Sequence, residues 1–186
     1  MKANSPPASA LLPAAQFAQA CEALPLVSID LVLTDSAQRL LLGLRRNAPA
    51  RDWWFTPGGR IRKNEPLAEA RRRIAAEELG LPDAAVRRAT LMGAWDHFYP
   101  DSAFDASIST HYVNLALWLR LTADEVAALT LPAGEGEQHA QWQWMPLAQA
   151  EQDEGVHPHV RVYAEWVRGE QRLGGGLAAP SAHEEA

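Results

Sequence analysis

The chain is organised around residues 57–81, which read PGGRIRKNEPLAEARRRIAAEELGL. It opens with Gly58 and Gly59, and adjacent glycines let the main chain turn tightly and bring its carbonyl oxygens close to a ligand or an ion. A helix is predicted to follow, because Pro66 suits a first helical turn and Gly80, with a proline two residues later, ends the run. We therefore predict a glycine turn that leads directly into a helix.

The predicted helix has two faces of different chemistry, since successive side chains rotate by about 100°. The apolar stripe consists of Leu67, Ala70, Ile74 and Ala75. Beside it lie side chains spaced four residues apart, which stack on a helix surface. These are Glu69, Arg73 and Glu77, with Glu78 at the border of the two faces. An ordinary amphipathic helix with a solvated Glu/Arg face would show the same two faces, and this interpretation stays open.

The spacing of the whole stretch resembles the Nudix box, a pattern of Gly, five residues, Glu, seven residues, then Arg-Glu-apolar-any-Glu-Glu-any-Gly-apolar. The matching positions are Gly59, Glu65, Arg73, Glu77, Glu78, Gly80 and Leu81. Ile74 departs from the pattern, because the family has a glutamate directly after the arginine. In an ordinary box the helix carboxylates form an oxygen-rich magnesium site. The departure implies fewer metal ions or a different reaction.

Over residues from about Pro25 to Trp166, the chain resembles one Nudix branch, the GDP-mannose mannosyl hydrolases. The stretches that carry the resemblance are PLVSIDLVL, LLGLRRN, WWFTPGGRIRKNE, GAWDHFYPDSAF, STHYVNLAL, EQHAQWQW and VHPHVRVY. That branch also lacks the carboxylate that Ile74 replaces. It tends to carry Ala at the place of Glu77, so at this position the chain is nearer to an ordinary box.

This resemblance implies an α/β Nudix fold, with a mixed β-sheet sandwiched between α-helices. It also implies Mg2+-dependent hydrolysis of GDP-mannose, or of a related GDP-hexose, to GDP and the free sugar. Water would attack the anomeric carbon with inversion. Because such a transition state is oxocarbenium-like, the site needs a cation on the departing phosphates and a base that aims one water. The family is usually dimeric, which implies a homodimer.

The resemblance assigns the metal ligands and the base by position. The magnesium would be held by the Gly58 carbonyl, Glu78 and Gln138, with diphosphate oxygens and water completing an octahedron of hard oxygens. His139 would be the general base, a role that suits a neutral imidazole. Gln138 and His139 lie where a Gly/Glu loop enters a predicted strand at about residue 140, which would give both a rigid mount.

The basic residues are unevenly distributed, since nine of the 17 lie between residues 45 and 73. In a chain of net charge −6, such a cluster suggests a small phosphorylated ligand and argues against a general nucleic-acid binder. By the resemblance, Arg45 and Arg60 would neutralise the leaving diphosphate, and Arg73 would help to orient the box. Arg71 and Arg72 are attributed to solubility.

Three further residues match family positions around the sugar or the reaction centre, namely Asp30, His97 and Tyr112. Asp30 lies inside an apolar strand, where a carboxylate is costly without a partner, and Arg45 on the next strand is the expected partner. A structural ion pair and a contact with sugar hydroxyls both stay open for Asp30. His97 could instead pack within its aromatic run. The histidines without spacing typical of zinc ligands are interpreted as structural. They are His111, His157 and His159.

Length and composition indicate one domain, because 186 residues that are 47% apolar can bury a single full core. The predicted organisation is an arm with a short helix over residues 1–24, the Nudix domain over 25–172 and a disordered tail over 173–186. The sequence shows no signal segment and no apolar run near the roughly 18 residues that span a bilayer. The single cysteine, Cys21, is interpreted as a packing residue. We expect a cytoplasmic protein with no membrane partner.

Outside the box, the sequence predicts mainly strands and only a few helices. Residues 26–46 are predicted as a hairpin-like pair, and residues 88–100 and 111–121 as two strands that pair across a polar loop. Thr122 and Glu125 form a capping box that starts a short helix. The final helix is predicted over residues 157–170, with one apolar side. That side consists of Val160, Tyr163 and Val167.

Two other functions stay open. One is a conventional Nudix pyrophosphohydrolase that cleaves a nucleotide-sugar at phosphorus, which Glu77 favours and Ile74 disfavours. The other is a non-catalytic nucleotide-sugar sensor, which would bind its ligand without turnover.

Overall fold

The computed structural model describes residues 12–172, so the predicted loose arm before residue 12 and the predicted tail lie outside the described residues. In chain order the elements are α1 Ala14–Ala23, β1 Leu26–Thr34, β2 Arg39–Arg45, β3 Trp54–Phe55, β4 Gly58–Arg60, α2 Leu67–Leu79, α3 Asp83–Val86, β5 Thr90–Tyr99, β6 Thr110–Arg120, α4 Ala123–Ala128, β7 His139–Pro146, α5 Leu147–Ala150 and α6 Pro158–Arg172. Within this part of the chain, seven strands form one mixed sheet that lies between helices. The predicted α/β class is therefore confirmed.

The sheet divides between β1 and β2. Its main order is β3-β2-β1-β6-β5, with β1 parallel to β6 along its whole length. The hairpin predicted over residues 26–46 is present, but β1 and β2 pair in register only at Thr34 and Leu40. Beyond that point β4 pairs with β1, while β7 pairs with β2. The two branches thus separate, and residues from both line the cavity described below.

Two apolar cores lie on opposite faces of the sheet, because successive side chains of a strand point to opposite sides. In β1, Ile29 and Leu33 pack into the core beneath α2, whereas Val32 packs into the core beneath α6. The apolar side predicted for the final helix is confirmed, since its three residues are completely buried. They are Val160, Tyr163 and Val167.

The box helix α2 ends as predicted, at Gly80 in the left-handed conformation with φ of 67°. Ala70, Ile74 and Ala75 are buried, so most of the predicted stripe is confirmed. Leu67 is an exception at 58% exposure. It is the first residue of the helix and lies outside the part of the helix that packs on the core. Ile74 is only 1% exposed and belongs to the core between α2 and the sheet.

The other helices are short. The capping box of Thr122 and Glu125 at the start of α4 is confirmed. The sequence did not predict α3 and α5, because four residues are too few to show helical periodicity. In α1, Phe17 and Cys21 are buried, which confirms Cys21 as a packing residue. Of the helices described in residues 12–172, none is both long and apolar enough to cross a bilayer.

Candidate functional site

A cavity of about 780 Å³ lies at the division of the sheet and is bordered by α1, α2 and the loop before β6. Of the ten predicted site residues, nine line it. They are Asp30, Arg45, Gly58, Arg60, Arg73, Glu78, His97, Tyr112 and Gln138. The tenth, His139, does not line the cavity and is 2% exposed. The fold therefore brings nine of the ten residues together around one cavity, whereas His139 lies behind its wall.

The two box glycines lie in strand β4 instead of a tight turn. Gly58 pairs with Asp30 of β1, and neither glycine has a positive φ. A Cβ on Gly58 would stand 2.5 Å from the carbonyl oxygen of Ile29 and 2.7 Å from Asp30 Oδ1. A glycine is therefore required at position 58 because β4 and β1 approach closely there. The prediction that the glycines form a tight turn is wrong.

Arg73 ties the box helix to the segment before it. Its Nε lies 2.6 Å from Glu65 Oε1, its Nη2 donates to the Arg60 carbonyl at 2.9 Å, and its Nη1 lies 3.0 Å from Glu77 Oε2. The Glu65 side chain is only 4% exposed. The hydrogen bond from Arg73 lowers the pKa of Glu65, so this carboxylate is charged and paired. The guanidinium thus braces β4 against α2.

Glu78 of α2 and Gln138, the residue directly before β7, are hydrogen-bonded to each other. Gln138 Nε2 donates to Glu78 Oε1 at 2.8 Å, which leaves the amide oxygen of Gln138 as an acceptor. Burial raises the pKa of Glu78. Within residues 12–172, no group of three His, Cys, Asp or Glu side chains is placed to hold a metal ion. A metal in this cavity would therefore be held by a mixed set of oxygen atoms, and the predicted ligands Gly58, Glu78 and Gln138, which all line the wall, can offer hard oxygens that suit Mg2+.

His139 packs behind Glu78, with Nε2 3.9 Å from Glu78 Oε2. Its ring lies 4.2 Å from that of Trp142 and occupies space that a side chain at Gly43 would fill. Burial, followed by the charge of Arg45, lowers the pKa of His139 to about 4, so the imidazole is neutral near pH 7. The pairing of β2 with β7 is irregular between Gly43 and Arg45, directly opposite His139.

The buried carboxyl of Asp30 has a different partner from the one predicted. Tyr163 Oη lies 3.0 Å from Asp30 Oδ2, whereas Arg45 contributes only as a nearby charge. The same hydroxyl contacts Asn114 Oδ1 at 2.9 Å and His97 Nε2 at 3.0 Å. Burial raises the pKa of Asp30 to about 7. Sequence reasoning missed Asn114 and assigned Tyr163 to the core, although a buried tyrosine hydroxyl needs a partner.

Histidines form a stack beside this network. The ring of His97 lies 3.8 Å from that of His159, with an interplanar angle of 1°. The ring of His157 lies 4.7 Å from His159 and 5.1 Å from Phe55. Burial, followed by the neighbouring His159 and His157, lowers the pKa of His97 to about 3. His97 therefore both packs among aromatic rings and lines the cavity as a neutral imidazole.

Arginine and aromatic side chains meet on the wall formed by α1. The Arg60 guanidinium carbon lies 3.9 Å from the centre of the Phe17 ring, close enough for a cation–π contact. Phe104 meets Phe17 edge to face at 5.4 Å and is 59% exposed. Arg45 Nε is buried without a hydrogen-bond partner among the described residues. Burial raises the pKa of Tyr112 to about 12, which keeps its phenol protonated.

Comparison with known proteins identifies the family. The NUDIX domain profile matches residues 24–166. The low-salt glycan biosynthesis protein Agl8 of Haloferax volcanii is 38% identical over 139 residues, which cover 75% of this chain and 80% of that protein. The MutT NUDIX hydrolase of Burkholderia pseudomallei is 26% identical with a TM-score of 0.57, covering 77% of this chain and 98% of that one. The NUDIX domain of NrtR from Shewanella oneidensis, solved with ADP ribose, is 22% identical with a TM-score of 0.57 and covers 80% and 88%. Because the profile spans most of the residues and the sheet matches these structures, the chain belongs to the Nudix hydrolase family.

Proposed function

We propose that the protein hydrolyses GDP-mannose, or a related GDP-hexose, to GDP and the free sugar. The observation that carries this proposal is the position of Ile74, which is buried in the core at 1% exposure. An ordinary Nudix box has a carboxylate at this place, and here the helix offers the cavity one oxygen ligand fewer. The resemblance of residues 25–166 to a branch with the same replacement supports attack at carbon. A relative named for glycan biosynthesis agrees with a sugar substrate.

The proposed reaction exchanges one bond for another. The oxygen of water bonds to the anomeric carbon as the bond from that carbon to the β-phosphate oxygen breaks. The electron pair of the broken bond stays on GDP, and one proton of the water passes to a base and then to solvent. The magnesium would be held by Gly58, Glu78 and Gln138 and would supply positive charge near the diphosphate. Arg45 and Arg60, both on the cavity wall, add fixed positive charge for the leaving group.

His139 is the proposed base. It is neutral near pH 7 and adjoins Gln138 in the chain. Its imidazole is separated from the cavity by Glu78, since the two side chains lie 3.9 Å apart and only Glu78 lines the wall. Proton transfer from water to His139 therefore passes beside Glu78, and the two residues are best tested together. Asp30, His97 and Tyr112 are proposed to contact the sugar or the reaction centre from the same cavity.

The wall formed by α1 suits the nucleobase. A guanine ring is planar and stacks on aromatic rings and guanidinium planes. Phe104, which is 59% exposed, and Arg60, whose guanidinium covers the buried ring of Phe17, present such surfaces at the cavity. The homodimer and the cytoplasmic location belong to the same proposal. Light scattering coupled to size-exclusion chromatography tests the dimer.

A second candidate is pyrophosphohydrolysis of a nucleotide-sugar at phosphorus. Glu77, which favours it, lines the cavity and is 52% exposed. Its carboxylate lies 3.0 Å from Arg73 and 3.5 Å from Arg62, so two arginines already balance its charge. This pairing makes Glu77 a poorer metal ligand than an unpaired carboxylate would be. A sensor without turnover is the third candidate.

One experiment separates the three candidates. The protein is incubated with GDP-mannose and Mg2+ in 18O-labelled water, and the products are identified by mass spectrometry. Unlabelled GDP with labelled mannose supports the proposal. GMP with mannose 1-phosphate, with the label on a phosphate, would establish attack at phosphorus. Tight binding by calorimetry without any product would identify a sensor.

A further inference from the structure

A single buried hydroxyl joins three strands of the site. Tyr163 of α6 is completely buried, and its Oη lies within 3.0 Å of Asp30 on β1, Asn114 on β6 and His97 on β5. All three partners line the cavity, whereas Tyr163 lies behind them. The hydroxyl is therefore in contact with the site without being able to touch a ligand.

The neighbours of Tyr163 on α6 show that its hydroxyl is not needed for packing. Val160, Ala164 and Val167 are completely buried in the same core and carry no polar side-chain atom. A phenylalanine would fill this space, and a hydroxyl in an apolar core is costly unless it is hydrogen-bonded. The three hydrogen-bond partners of this hydroxyl all line the cavity, so the hydroxyl orients side chains of the site.

The hydrogens around the hydroxyl can be counted. A tyrosine Oη has one hydrogen to donate and can accept through its lone pairs. Asn114 Nδ2 donates to Ser28 Oγ at 2.9 Å, so Asn114 presents its Oδ1 to Tyr163 and can only accept. Because Asn114 can only accept, the hydroxyl hydrogen goes to Asn114 Oδ1. The other two partners, His97 Nε2 and Asp30 Oδ2, must then each bring a hydrogen of their own, because two bare acceptors 3.0 Å apart would repel.

We propose that Tyr163 is a positioning residue, which holds His97 in the tautomer with hydrogen on Nε2 and leaves Nδ1 as an acceptor for a ligand hydroxyl. The stacked ring of His159 fixes the plane of the imidazole, so both its orientation and its tautomer are set before a ligand binds. A neutral ring is required, and burial keeps His97 neutral near pH 7. A ligand that donates hydroxyl hydrogens, such as a hexose, matches such an acceptor. The identity of this ligand rests on the proposed function, whereas the tautomer does not.

The test is a long-range 1H–15N correlation spectrum of the 15N-histidine-labelled protein, which distinguishes the two tautomers of a neutral imidazole. The His97 signals are assigned by their loss in His97→Gln. We expect hydrogen on Nε2 in the native protein and a mixture of tautomers in Tyr163→Phe. With GDP-mannose as substrate, kcat/KM of Tyr163→Phe should fall roughly 10-fold, the effect of losing a residue that orients a site group. Trp166→Phe is the control, since it alters the same helix at a ring 5.9 Å from Trp118 and outside the hydroxyl network.

Each outcome has a separate meaning. A native spectrum with hydrogen on Nδ1 of His97 would overturn the proposal, even if Tyr163→Phe failed to fold. A folded Tyr163→Phe with an unchanged tautomer and unchanged kcat/KM would overturn it as well, as would equal losses in Trp166→Phe. If GDP-mannose were not a substrate but the tautomer shifted as expected, the proposed function would fail and the role of Tyr163 would stand.

Discussion

Ile74 packs directly beneath Gly59, because a Cβ on that glycine would stand 3.2 Å from Ile74 Cγ1. The helix position that carries a charge in an ordinary Nudix box is here part of the contact between α2 and β4. The apolar replacement therefore belongs to the core, and restoring the carboxylate would act on folding before it acted on catalysis.

The substitution Ile74→Glu should destabilise the protein by about 3 kcal/mol or more, because it buries a carboxylate without a partner. Urea denaturation followed by tryptophan fluorescence measures the loss. Ile74→Val removes one methylene at the same place and should cost only about 1 kcal/mol. A glutamate variant as stable as the native protein would show that this side chain can reach the cavity.

Arg73→Lys should weaken the brace between β4 and α2. A lysine cannot reproduce the fork that contacts Glu65, Glu77 and the Arg60 carbonyl, and the loss should be about 2 kcal/mol in the free energy of unfolding. Because Arg60 moves with the brace, we also expect a higher KM. Arg72→Lys is the matched control, since Arg72 is exposed and, among residues 12–172, its side-chain hydrogen bonds go to Glu69 on the same helix. Equal effects in both variants would contradict the bracing role.

His139→Gln should lower kcat by about 10²- to 10⁴-fold and leave substrate binding nearly unchanged, as expected for loss of a general base. Glu78→Gln should lower kcat too, and it should also weaken Mg2+ binding measured by calorimetry. His111→Gln, at a partly exposed histidine that contacts Asp96, serves as the control and should retain activity. Unchanged turnover in His139→Gln would end the assignment of this residue as the base.

Stability should fall as the solution is acidified from about pH 6.5 towards pH 4. The pKa values of His97 and His157 in the folded state are about 3 and 4, below the ordinary 6.5. In that interval the unfolded chain binds protons that the fold excludes, so the free energy of unfolding decreases as pH falls. Asp30 acts in the opposite sense, since its raised pKa of about 7 stabilises the fold below about pH 4 and this contribution is lost as pH rises through 7. The folded-state pKa of His139 is about 4 as well, so three histidines together should outweigh one carboxyl.

Thermal unfolding between pH 4 and pH 8 checks this dependence. His157→Phe keeps an aromatic ring near Phe55 and removes one of the titrating groups, so its melting temperature should decline less steeply with acid. A decline identical to that of the native protein would show that His157 is not a source of the acid sensitivity.

The sequence predicted the box helix and most of the strands, because glycine and proline fix where α2 begins and ends and because strand composition is local. Nine of the ten site residues, most of which the family resemblance assigned by position, line one cavity, and their roles there stay predictions. Strand partners are not local, and the parallel pairing of β1 with β6 could not be inferred from either segment. The direction of the His139 side chain depends on the irregular pairing beside Gly43. Tyr163 occupies an apolar helix stripe, so only the fold shows that its hydroxyl meets Asp30.

Because the sheet divides into two branches, a bound ligand can stabilise one branch against the other. Asp30 and Gly58 belong to the branch of β1, whereas Arg45 and Gln138 belong to that of β2 and β7, and β1 and β2 pair in register only at Thr34 and Leu40. A substrate bound by all four residues would link the two branches where β1 and β2 do not pair. When the ligand binds, amide hydrogen exchange should then slow in both branches, in β1 and β4 and also in β2 and β7.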